Sequence, residues 1–179
     1  MALKDFRDFF GEFIALVGAA VATAALVLIT ALSGLIPPWP EAVVQITAIL
    51  QLVMLMFVYQ FYKRSSKKFI DKRIKVFLVY TILFCAIYLS AYSLLVYELP
   101  DETKSLRGFF CTAEAVLVYS DSCPLFSEEQ IADAGFIPQK LWTPLGMLLS
   151  RLILLLTWGA FFGFLVSLFA TFVVYQRRI

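Results

Sequence analysis

The sequence predicts an all-α membrane protein built as a four-transmembrane-helix bundle, and two observations lead to this fold class. First, 61% of its 179 residues are hydrophobic and 16% are charged, whereas soluble domains are about 45–50% apolar and about 25% charged. Second, four stretches contain no charged residue: 13–36, 42–62, 76–97 and 152–175. Each is long enough to cross a hydrocarbon core, which takes roughly 20 helical residues. A helix satisfies its own backbone hydrogen bonds there.

The first helix is expected at 13–36 as a retained anchor. This uncharged run is longer than the roughly 7–15 apolar residues of a signal peptide. Before it, Leu3, Phe6 and Phe10 recur at helical spacing. This spacing is typical either of an amphipathic helix in the headgroup region or of an extension of the first span. Gly18 and Ala22, four residues apart, predict a face that allows close helix approach.

The distribution of Lys and Arg predicts that both termini are cytoplasmic. Two bases precede the first span, nine follow the second or the last, and none lies between the first and second spans. The nine are Lys63, Arg64, Lys67, Lys68, Lys72, Arg73, Lys75, Arg177 and Arg178. Because cytoplasmic loops are enriched in bases, we place the loop 63–75 inside. Pro37–Pro40 then forms an outer turn, and 98–145 forms the larger outer region.

The second and third helices are expected at 42–62 and 76–97, and both carry polar side chains. These are Gln45, Gln51, Gln60, Tyr80, Thr81, Tyr88, Ser90, Tyr92 and Ser93. Polar groups in lipid need partners, so we expect them to face the bundle interior or a wet cavity. Two interpretations stay open, namely hydrogen bonds between helices and a conduction path.

The outer region is expected to form a small disulfide-linked cap between the third and fourth helices. Cys111 and Cys123 lie on the oxidising side, where disulfides persist, whereas Cys85 in the third span reads as a small buried apolar residue. Short helices are expected over 101–107 and from the capping box of Ser127 and Gln130, with a β-prone run at 115–119 between the cysteines. The apolar residues favour a cap on the membrane surface or an exposed binding face: Phe109, Phe110, Leu125, Phe126, Phe136, Ile137 and Trp142.

The fourth helix is expected at 147–175, and a stripe of small residues follows one of its faces. The stripe consists of Gly159, Gly163, Ser167 and Thr171 at intervals of four. Small residues mark places where helix backbones touch in lipid, either inside one bundle or between subunits. Arg151, near the outer end of this helix, is expected to snorkel outward or to pair with Glu41.

Catalytic signatures are missing from the sequence. It contains no histidine and no nucleotide-binding, P-loop or nucleophile motif, so we predict no enzyme activity, cofactor or metal site. Size, four spans and the outer cysteine pair resemble the quinone-linked disulfide oxidase DsbB. That family also needs a C-x-x-C pair in the first outer loop, where this chain has Pro37, Pro38, Trp39 and Pro40.

Chain length, four spans, cytoplasmic ends and a modest outer region also resemble two other groups. These are the bacteriocin immunity proteins and the membrane subunits (KwaA) of the Kiwa anti-phage defence system. The Kiwa resemblance implies homo-oligomers in the bacterial inner membrane that sense phage attack and engage a cytoplasmic DNA-binding effector. It assigns no role to individual residues.

The functional prediction is therefore a non-enzymatic membrane sensor or scaffold. Its nine cytoplasmic bases would contact a soluble protein partner or anionic lipid, and the chain itself is not expected to bind nucleic acid. We expect membrane lipids and further copies of the chain as its other partners. The alternatives are a pore or holin lined by Gln51, Tyr88 and Ser90, and a DsbB-like thiol oxidoreductase.

Overall fold

A computed structural model describes residues 2–100, 102–119 and 122–176, with side chains at Ile14 and from Val17 onward. The described chain is mostly helical and has a single two-stranded sheet. Its long helices are α1 (Ala2–Leu32), α2 (Val43–Tyr62), α3 (Lys67–Leu95) and α7 (Pro144–Gln176). Three of them, α2, α3 and α7, are long and apolar enough to cross a membrane.

Helix α1 begins at Ala2 and runs without a break to Leu32, whereas the first span was predicted at 13–36, with its extension as one of two interpretations of the preceding residues. Among the residues with described side chains, its apolar part is Val17–Leu32, which is shorter than the three candidate spans. The helix ends where Gly34 takes a positive φ of 69°. Pro37, Pro38 and Pro40 follow, and each lacks the backbone N–H that a continuing helix would need.

Both ends of α3 differ from the predicted range 76–97. The helix starts at Lys67 inside the expected loop 63–75, because the Ser66 hydroxyl accepts from the Phe69 amide and the Ser66 carbonyl accepts from the Ile70 amide. These bonds satisfy amide groups that a helix start leaves unpaired. The helix ends at Leu95, because Val96 and Tyr97 enter a β-strand instead.

The described chain folds as two compact units. Of the described residues, unit 1 comprises 2–36, 42–85 and 158–176, and unit 2 comprises 37–41, 86–100, 102–119 and 122–157. The core of unit 1 contains Tyr59 and Tyr62 of α2, Ile70 of α3, and Val166 and Ala170 of α7. These apolar side chains are buried on one face of each helix. The opposite faces are also apolar, but they are exposed.

In unit 2, the chain after α3 forms a hairpin. Strand β1 (Val96–Glu98) pairs antiparallel with β2 (Lys104–Leu106), with Val96 opposite Leu106 and Glu98 opposite Lys104. The predicted helix over 101–107 is therefore wrong at 104–106, and Asp101 lies outside the described residues. Val96 and Tyr97 are residue types that fit strands. Strand β1 pairs with 104–106, and this pairing cannot be predicted from the local sequence of 101–107.

Three short helices follow: α4 (Ala113–Val118), α5 (Glu128–Asp133) and α6 (Pro138–Leu141). The β-prone interpretation of 115–119 was wrong, because Thr112 caps α4 by accepting from the Ala115 amide. The capping box of Ser127 and Gln130 is confirmed at the start of α5. Gly135, just past the end of that helix, adopts a φ of +73°, a conformation that glycine takes without strain.

Trp142 is the centre of the unit 2 core. It is fully buried, and its ring centroid lies 5.5 Å from that of Phe126 and 5.9 Å from that of Tyr97. Its indole N–H donates to the Pro124 carbonyl at 2.9 Å. Burying a large apolar side chain stabilises a fold by about 1.5–3 kcal/mol. The residues 96–143, here called the interhelical segment, therefore have an apolar core of their own.

Candidate functional site

The basic segment, residues 63–75, carries the densest charge of the described chain. Its seven bases are all exposed, and Asp71 is its one acid: the bases are Lys63, Arg64, Lys67, Lys68, Lys72, Arg73 and Lys75. The sequence predicted a loop, but all except Lys63 and Arg64 lie on the first turns of α3. Helical placement fixes their spacing, so the charges form a defined surface. Arg177 and Arg178 lie outside the described residues.

Local contacts hold several of these cations in place. Lys75 pairs with Asp71 one turn earlier at 3.1 Å. Lys67 lies over the ring of Tyr175 at 5.3 Å, and Arg73 lies over that of Phe69 at 5.0 Å. Exposed cation–π contacts stabilise by about 0.5–1 kcal/mol and leave the charge of the cation intact. The segment therefore keeps a strong positive potential at neutral pH.

The predicted disulfide is present. Cys111 and Cys123 are bonded across a Cα separation of 6.2 Å, and Cys85 is a free, half-buried thiol on α3. Cys111 also forms a β-bridge with the buried Trp142. The cross-link therefore ties the loop between α4 and α5 to the core of the interhelical segment. Closing a loop of this size stabilises by roughly 3 kcal/mol in the chain-entropy model.

The two small-residue stripes lie in different environments. Gly18 and Ala22 of α1 are exposed, and a Cβ placed on Gly18 would meet no atom within 4 Å. On α7, Gly163, Ser167 and Thr171 are buried, and a Cβ on Gly159 would lie 3.8 Å from Leu50. The hydroxyls of Ser167 and Thr171 donate to carbonyls one turn earlier in their own helix. The packing role of both stripes stays a prediction.

Only some of the polar residues expected in the interior are buried. Gln51, Thr81 and Tyr88 are buried, Tyr92 is half-buried, and the exposed ones are Gln45, Gln60, Tyr80, Ser90 and Ser93. The Gln51 amide donates to the Thr23 carbonyl of α1 at 3.3 Å. Of the residues assigned to a conduction path, Ser90 is thus exposed and Gln51 is held by a helix contact.

Arg151 does not pair with Glu41, which excludes one of the two alternatives predicted for it. No ion pair joins these two described residues, and the Arg151 guanidinium lies 5.7 Å from the ring centroid of Trp39. Its Nε is buried without an acceptor among the described residues. The planar, weakly hydrated guanidinium stacks well on an indole, and this contact replaces the predicted ion pair.

The cationic contacts around the hairpin were not predicted from the sequence. Lys104 Nζ donates to the Tyr92 hydroxyl at 3.0 Å and lies 3.7 Å from Glu98. The hydrogen bond to Tyr92 raises the pKa of Lys104, although desolvation opposes it. Arg107 lies over the Tyr97 ring at 5.9 Å. No sequence spacing signalled these pairs, because the hairpin brings their members together.

Four of the seven apolar residues expected to pack in the outer region are exposed, namely Phe109, Phe110, Leu125 and Ile137. Phe126 and Trp142 are buried, and Phe136 is half-buried.

Within the described chain, no group of three His, Cys, Asp or Glu side chains could hold a metal ion. In comparisons with known proteins, no family model, curated protein or solved structure matches this chain.

Proposed function

We propose that the chain is a non-enzymatic membrane sensor or scaffold with four transmembrane helices and cytoplasmic termini. In this proposal α1 also crosses the membrane, which brings the number of spans to four. The disulfide-linked interhelical segment is an outer cap that receives a signal. The basic segment engages a cytoplasmic protein partner and anionic lipid.

The length and surface of α1 support a fourth span. Its 31 residues make a helix of about 46 Å at 1.5 Å per residue, against a hydrocarbon core of about 30 Å. Its described outward-facing side chains include Val21, Leu28, Ile29 and Leu32, each at least 58% exposed. Such a continuous apolar surface is stable in lipid and unfavourable in water.

The basic segment supplies the single observation on which the partner proposal depends. Its seven exposed bases stand against one acid, and all but Lys63 and Arg64 are held at fixed spacing on α3. Anionic lipid alone would gain about 1 kcal/mol per base near the surface. The same charges would attract an acidic patch on a partner protein. Their fixed spacing on α3 would favour recognition of one specific partner.

Charge substitution tests the partner role. The triple variant Lys67→Gln, Lys68→Gln and Lys72→Gln removes three charges and leaves four bases to maintain orientation. The matched control replaces the same three lysines with arginine. We expect partner recovery after cross-linking in the native host to fall with the Gln variant and to persist with the Arg control. Equal recovery in both would contradict recruitment through this surface.

The resemblance to Kiwa membrane subunits supports placing this function in anti-phage defence, as a homo-oligomer in the bacterial inner membrane. Complex mass in mild detergent tests the oligomer. A plating assay with and without the chain and its neighbouring genes tests protection against phage. Monomeric chain that gives no protection would contradict this part of the proposal. Fusion of a reporter to each terminus tests the four-span topology independently.

A further inference from the structure

A cavity of about 400 Å³ opens beside the end of α3 in unit 2. Its walls are almost wholly apolar and include Ala91 and Leu94 of α3, Leu125 of the interhelical segment and Ile153 of α7. Arg107 is its one charged lining residue. Volumes of about 300–1,000 Å³ are typical of small-molecule sites, so the cavity has room for part of an amphiphile.

Arg107 is held at this cavity by its backbone and its side chain. Its amide donates to the Leu95 carbonyl at 2.8 Å, which fixes it beside the last turn of α3. Its guanidinium lies over the Tyr97 ring, and its Nε is buried with no acceptor among the described residues. No described carboxylate forms an ion pair with it.

Arg107 is half-buried at the edge of this apolar cavity, and a partly desolvated cation without an ion pair gains from an anion placed beside it. Phosphate oxygens can accept two hydrogen bonds from the guanidinium fork, and every glycerophospholipid carries a phosphate. The apolar walls, in contrast, provide no polar group that would bind a small soluble anion. They lie along the end of a helix that could span a membrane, where acyl chains are the abundant apolar ligand.

We infer that this cavity is a binding site for an anionic glycerophospholipid, with its phosphate on Arg107 and an acyl chain against Ala91, Leu94 and Ile153. The exposed Phe109 and Leu125, which also line the cavity, then contact lipid. The inference does not depend on the partner of the basic segment or on which side of the membrane the interhelical segment lies.

Native mass spectrometry of the delipidated full chain tests the site with phosphatidylglycerol and phosphatidylcholine as probes. We expect one phosphatidylglycerol to bind in preference to phosphatidylcholine. Arg107→Gln should weaken this binding about tenfold or more, as expected for the loss of a charged hydrogen bond. The matched control Arg73→Gln removes an exposed base of the basic segment and should leave the tight site intact.

Two further variants decide the outcome if Arg107→Gln folds poorly. Ala91→Phe fills the apolar wall without changing charge and should also weaken binding, whereas Arg107→Lys should retain part of it. Folding of each variant is checked by its disulfide and by thermal unfolding in lipid-free detergent. Equal affinity for both lipids, equal weakening by Arg73→Gln, or unchanged binding by Ala91→Phe would each overturn the inference.

Discussion

The indole N–H of Trp158 on α7 donates a 2.8 Å hydrogen bond to the Thr47 hydroxyl on α2. Trp158 is 1% exposed and Thr47 is 2% exposed, so neither group can turn to solvent. The Thr47 hydroxyl in turn donates to the Val43 carbonyl at 2.6 Å. This chain of bonds joins two helices through polar groups inside an apolar bundle.

Thr47→Val should therefore destabilise the bundle. Valine has nearly the same shape but leaves the buried indole N–H without this acceptor, and such a loss costs about 1–3 kcal/mol of unfolding free energy. Thr157→Val is the matched control, because the Thr157 hydroxyl bonds only to carbonyls of its own helix among the bonds described. Thermal or denaturant unfolding in detergent measures both. Equal effects of the two variants would contradict the role of the interhelical bond.

Loss of the disulfide should loosen the interhelical segment alone. Cys111→Ser removes the cross-link beside Trp142, and we expect a loss of about 3 kcal/mol in the local stability of 96–143. Limited proteolysis of the segment, with and without reductant, measures this opening. Cys85→Ser changes a free thiol on α3 and should leave the cleavage rate unchanged. A protease-resistant segment in Cys111→Ser would refute the stabilising role of the bond.

Lys104 should give stability a dependence on alkaline pH. Its hydrogen bond to Tyr92 raises its pKa above the ordinary lysine value of 10.5. Because the folded pKa exceeds the unfolded one, its stabilisation is complete below about pH 10.5 and disappears as pH rises through the folded pKa. The unfolding free energy of the wild type should exceed that of Lys104→Gln at about pH 8, and the gap should narrow as the pH is raised above 10.5. A constant gap would exclude this linkage.

Sequence patterns predicted the long helices well, because uncharged runs of about 20 residues have few other stable forms in lipid. The capping box at Ser127 was also predictable, since its signature lies within four residues. The hairpin was not, because the partner of Val96 is Leu106, beyond the reach of local propensity. For Arg151 the sequence offered outward snorkelling or an ion pair with Glu41, and neither alternative anticipated its contact with the Trp39 ring.

Individual binding and packing residues were harder to predict than the helices. Neither Arg107 nor Gly146 belongs to any motif, and both matter through neighbours that the fold brings to them. In contrast, Gly163 was selected from a four-residue pattern that describes a helix face without saying what covers it. Gly146 and Gly163, both on α7, therefore allow a direct comparison.

Gly146→Ala should destabilise the chain, whereas Gly163→Ala should not. A Cβ on Gly146 would lie 2.6 Å from the Phe110 backbone nitrogen, and one on Gly163 would meet nothing within 4 Å. Since backbone cannot move aside cheaply, we expect Gly146→Ala to cost about 1–3 kcal/mol. Gly163→Ala should be neutral or slightly stabilising, because alanine favours the helix.

Unfolding in detergent measures both glycine variants, and complex mass adds a second result for Gly163→Ala. A folded but smaller complex would indicate that the α7 stripe packs against another copy, because the stability of the single chain would be unchanged. An unchanged mass would count against packing of Gly163 on another copy. Equal destabilisation by the two alanines would contradict the close approach at Phe110, because only one of the two positions has backbone in its way.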